Sequence, residues 1–156
     1  MELRGELFGR RRPRLHVALL AIAIPVLATV AFELRLDEQY SLGSWAVGLA
    51  VLVAAYAGWK RGGAVPGCGA VFLAVCWVFI VPPLLGYLRG SWDTRYTPPR
   101  TLGYKLDPWG ELVEGLTSGP PTALVVAVLL GGAAFLVGFA LRRIATDYGV
   151  TAPEEL

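Results

Sequence analysis

Charged residues cut the chain into four long uncharged runs, Leu15 to Phe32, Gln39 to Trp59, Gly62 to Leu88 and Gly115 to Leu141. Each reaches or exceeds the ~18 residues that a helix needs to cross a bilayer. The pattern predicts an all-α protein, an integral membrane four-helix bundle with spans at about 15–33, 41–59, 64–88 and 121–142. These form one domain, 15–142, between a basic N-terminus (1–14) and a tail (143–156).

Small residues recur inside the spans at helical spacing. Ala46, Ala50, Ala54 and Gly58 stand four apart in the second, and Ala123, Ala127, Gly131, Ala134 and Gly138 step by three and four in the fourth. Such stripes let another backbone approach closely, so both are expected to be packing seams, for antiparallel neighbours within the bundle or for a partner. Pro25 should kink the first span, and Pro82 with Pro83 should kink the third, because each removes a ladder donor.

The loop between the third and fourth spans, 89–120, is the longest polar stretch. In "LDPWGELVEGLTSG", Asp107 can cap a helix, Pro108 suits its first position and Gly115 can end it. Trp109, Leu112, Val113 and Leu116 fall at i, i+3, i+4 and i+7, so a short amphipathic surface helix is expected, with Glu111 and Glu114 toward water. Upstream, Arg95, Tyr96, Arg100, Tyr104 and Lys105 mix cations with aromatics, a composition able to contact an anion or a lipid headgroup. Most of the loop aromatics Trp92, Tyr96, Tyr104 and Trp109 and of Trp45, Trp59, Trp77 and Tyr87 in or near the spans suit the belt where rings meet the headgroup region.

Charge then orients the threading. Nine Arg and Lys residues fall at the N-terminus, at Lys60–Arg61 and at Arg142–Arg143, against five on the opposite side. By the positive-inside rule both termini should be cytoplasmic, in a multi-pass protein of the plasma (cytoplasmic) membrane, with loop 89–120 extracytoplasmic. The run after the basic start reads as a retained span, since it exceeds a signal core and leads into "ELRLDEQ". A net charge of +2 gives no argument for nucleic acid. Arg outnumbers Lys twelve to two, a bias expected of a GC-rich prokaryotic genome.

The same runs argue against chemistry at depth, because intramembrane catalysis and ion coupling use ionisable side chains there and the runs contain no Asp, Glu, Lys or Arg. His16 and the pair Ser41 and Ser44 fall at opposite ends of the spans, so no Ser/His dyad forms. A small four-helix exporter would need a buried carboxylate in its first span, which has none before Glu33. Cys68 and Cys76, eight residues apart on one helix, cannot bridge each other and read as packing residues; a Cys68–His16 thiol pair is the one reactive alternative. No catalytic, cofactor or metal site is expected. The sequence therefore predicts a non-enzymatic accessory or assembly subunit whose partners are the bilayer and another membrane protein or a second copy. The alternative is the protomer of an oligomeric small transporter or channel.

Overall fold

The computed structural model describes residues 7–9, 11–34, 36, 41–90 and 107–148. Among these the protein is all-helical: α1 (Arg11–Glu33), α2 (Leu42–Lys60), α3 (Ala64–Arg89), then α4 (Pro108–Val126), a π-helical turn (Ala127–Gly131) and α5 (Gly132–Asp147). The last three run on without a break, so four helices are long and apolar enough to cross a membrane, Arg12–Glu33, Leu42–Trp59, Ala64–Arg89 and Trp109–Asp147.

The α2–α3 pair is the centre. α1 packs on one side of it, and the last helix crosses the other, with α4 on α3 and α5 on α2. α1 runs parallel to α3, and an ion pair between Glu33 and Arg89 joins their C-terminal ends. α1 presents Val17, Ala21, Ile24, Ala28 and Phe32, a 3.6-residue stripe. Ala46, Ala50 and Ala54 of α2, Ala70, Val71 and Ala74 of α3, and Ala123 and Ala127 of the last helix complete the core. The interior is thus mostly alanine, while Leu27, Leu52, Leu129 and Leu136 are each more than 60% exposed.

Both stripes of small residues are buried within the chain. A Cβ on Gly58 would collide with the Phe135 carbonyl, and one on Gly138 would collide with the Ala55 carbonyl, so the two helices meet backbone to backbone at a reciprocal crossing. This contact joins α2 to α5, which run parallel, where the sequence suggested antiparallel neighbours. Further along, Gly131 faces Cys68 and Val71, and Gly115 lies against the Phe79 carbonyl. Pro83 is the reason that carbonyl is open: with no N–H at position 83 the carbonyl four residues back loses its ladder donor. Only a residue without a Cβ can pack on that carbonyl so closely, and helix interfaces of this kind allow Cα–H···O contacts.

The segment expected to be a separate surface helix is the beginning of the last helix. Asp107 caps it, accepting a bond from the Gly110 N–H at 3.1 Å, and Pro108 begins it, as its sequence suggests. The helix does not stop at Gly115, nor at Pro120 and Pro121. Pro120 and Pro121 leave the Leu116 and Thr117 carbonyls without ladder donors, and the helix carries on through them with Gly115 and Gly119 pressed onto Phe79. A further correction follows for the faces. Glu111 is fully buried and Leu112 is 6% exposed, whereas Trp109, Val113 and Leu116 face outward at 58%, 38% and 51%. Packing against α3 chose the face that carries glycines. Glu111, in the first turn, is also favourably placed for the helix dipole.

Candidate functional site

The crossing of the last helix creates an opening. At the end bearing Lys60 it is pinned to α2 through Gly58 and Gly138; toward the other end it follows α3 and leaves α2. Between them lies a groove of about 640 Å³. One wall is the first two turns of α2, from Ser41 to Gly48, and the other is α3 from Val75 to Pro82; Phe32 and Val126 close its edges. Gly43 and Gly48 keep the α2 wall shallow. The Ser41 and Ser44 hydroxyls, bonded to each other at 2.9 Å, are its polar groups at the outer rim.

Trp77 forms the floor. It is only 4% exposed, and its indole N–H donates to the Thr29 hydroxyl at 2.8 Å, which in turn donates to the Pro25 carbonyl at 2.8 Å. Phe32 meets the indole edge-on, with centroids 6.5 Å apart. A buried indole N–H needs an acceptor, and a threonine hydroxyl can accept from one group while donating to another. The chain of bonds ties α1 to α3. This overturns the assignment of Trp77 to an interfacial belt; its distance from the start of α3, thirteen residues or about 20 Å, is the signal that places it at depth. Tyr87 keeps company with Trp109, their rings 5.7 Å apart near the end of α3, and Trp45 is exposed.

The other anticipated positions divide clearly. Arg95, Tyr96, Arg100, Tyr104 and Lys105 lie outside the described residues. Of the two stripes, Ala46, Ala50, Ala54, Gly58, Ala123, Ala127, Gly131 and Gly138 are buried and Ala134 is partly so. Cys68 faces Gly131, and His16 is exposed on α1. Among the described residues no group of three or more His, Cys, Asp or Glu side chains gathers where it could hold a metal ion.

What the groove can do is therefore physical: it can hold an apolar object beside a buried indole. Compared with protein-family models, with curated proteins and with solved structures, the chain matches none.

Proposed function

We propose that this chain is a non-enzymatic accessory or assembly subunit of a plasma (cytoplasmic) membrane, with both termini cytoplasmic, that acts through its lateral surface on a membrane partner or on lipid. Membrane placement is supported by where its large apolar residues stand. In water they would be inside; here leucines project outward and alanines and glycines line the contacts, the arrangement expected when hydrocarbon already solvates Leu and helices associate by close packing. The cytoplasmic assignment of the termini is supported by the basic residues of α1, the α2–α3 turn and α5, which share one end of the bundle.

The observation that carries the subunit reading is the close packing at mid-span; among the described residues the buried carboxylate, Glu111, stands in the first turn of α4, away from it. Backbone meets backbone at Gly58 and Gly138, and the one hydroxyl deep in the first span, on Thr29, is engaged with both Trp77 and Pro25. A conduction path or a reaction site at depth needs polar groups with bonding capacity to spare. Function then falls to the outer surfaces.

The test is purification from its native membrane in mild detergent, with identification of every chain that remains bound. A stable complex with a different membrane protein is the expected result. A homo-oligomer enclosing a water-filled lumen would overturn the reading and establish the transporter alternative.

A further inference from the structure

We infer that the groove beside Trp77 is a site for a lipid acyl chain. The inference rests on the bilayer placement proposed above and deepens the lipid half of that reading.

Size selects the occupant. The groove runs from Ser41 to Gly48 along α2, seven residues or about 10 Å at 1.5 Å per residue. A 10 Å length of helix 10–12 Å across has a lateral surface of about 300–400 Å² even if all of it were covered. A stable protein interface takes about 800 Å² from each partner. A transmembrane helix from another protein or from a second copy would therefore gain too little here to be held by this groove. A flexible hydrocarbon chain needs no such area, because it is drawn from the surrounding bilayer rather than held against dissociation. A volume of 640 Å³ is also within the ~300–1,000 Å³ usual for sites that enclose small apolar ligands.

Chemistry agrees with size. Phe32, Val47, Val75, Val78, Phe79 and Val126 make the lining apolar, and the paired hydroxyls of Ser41 and Ser44 stand at the rim, at the end of α2. An acyl chain entering sideways from the bilayer lies between α2 and α3 and touches Trp77 only at the small part of the residue left open, 4% of its surface. The N–H of that ring is already bonded to Thr29, so what it presents to the chain is apolar.

The position of Trp77 supplies the measurement. A version of the full chain keeps Trp77 and has Phe at the other four tryptophans. It is reconstituted into vesicles of phosphatidylcholine brominated along the acyl chains, and bromine quenches indole fluorescence only at contact range. A second version, with all five tryptophans replaced by Phe and Leu52→Trp added, reports ordinary lipid contact, because position 52 is 65% exposed.

The expected result is clear quenching of Trp77, weaker than at position 52 because 4% of the residue is open against 65% there. Gly48→Leu in the Trp77 version should reduce it several-fold. That glycine lines the groove, and a Cβ there meets no atom within 4 Å, so the variant fills space without straining the bundle. Quenching at position 52 with none at Trp77 would overturn the acyl-chain site alone. No quenching at either would overturn the bilayer placement as well. Quenching unchanged by Gly48→Leu would show that lipid reaches Trp77 by another route, and quenching that falls as protein is concentrated relative to lipid would show a second copy displacing it. Either result defeats the inference.

Discussion

Gly138→Ala should weaken the bundle although it adds only one methyl group to an otherwise suitable helix, and Gly132→Ala on the same helix provides the reference. Both substitutions remove a flexible residue, and both gain the helix propensity of alanine over glycine, about 1 kcal/mol in peptides. At Gly132 the new methyl meets nothing within 4 Å. At Gly138 it would overlap the Ala55 carbonyl oxygen, stand 2.8 Å from the carbonyl carbon and lie 3.1 Å from the Trp59 amide nitrogen. These are backbone atoms and cannot rotate away, so α2 and α5 must move apart along their whole line of contact. Overpacking of this kind costs about 1–3 kcal/mol, or roughly 5- to 150-fold in the unfolding equilibrium. Separation would also lift Gly58 from Phe135, so Gly58→Ala should add little on top of Gly138→Ala and the pair should be less than additive. The measurement is unfolding in mixed micelles by titration with sodium dodecyl sulfate, followed by circular dichroism. If Gly138→Ala proved as stable as Gly132→Ala, or if the two glycine variants summed fully, the close crossing would be wrong.

Thr29→Val leaves the indole N–H of Trp77 without its acceptor and should cost about 1–3 kcal/mol; Trp77→Phe in the same chain should make Thr29→Val nearly silent, and any other pattern in the unfolding titration would separate the two residues. Asp107→Ala should release the first turn of α4 at a cost near 1 kcal/mol, seen as faster amide exchange at residues 110 and 111, whereas Asp107→Asn should retain protection.

Helix number was legible in the sequence because a membrane-crossing helix demands length and freedom from charge, and both can be counted directly. The cap at Asp107 was legible for the same local reason. The course of the last helix was not. Gly115, Pro120 and Pro121 are local stop signals, and they are overruled by contacts with Phe79, some forty residues earlier in the chain. The face of α4 was misjudged by a rule that holds in water: apolar side chains were expected to be the packed ones, yet Trp109, Val113 and Leu116 point out while Glu111 and Gly115 point in. The groove needed three dimensions, since it exists only because α4 follows α3 while α5 follows α2. Thr29 is the lone hydroxyl of the first span, but nothing local in the sequence points to its partner 48 residues away, a ring whose usual place is an interface.

Residues 108–147 follow α1 to α3 in the chain and are synthesised after them, and that gives the assembly an order. Without this segment α1 to α3 have the Gly58 face of α2 and the Phe79 carbonyl of α3 both uncovered, at different heights of the bundle. One segment, residues 108–147, covers both. A fragment that ends before residue 108 should therefore expose both, and should be cleaved faster than the full chain in limited proteolysis.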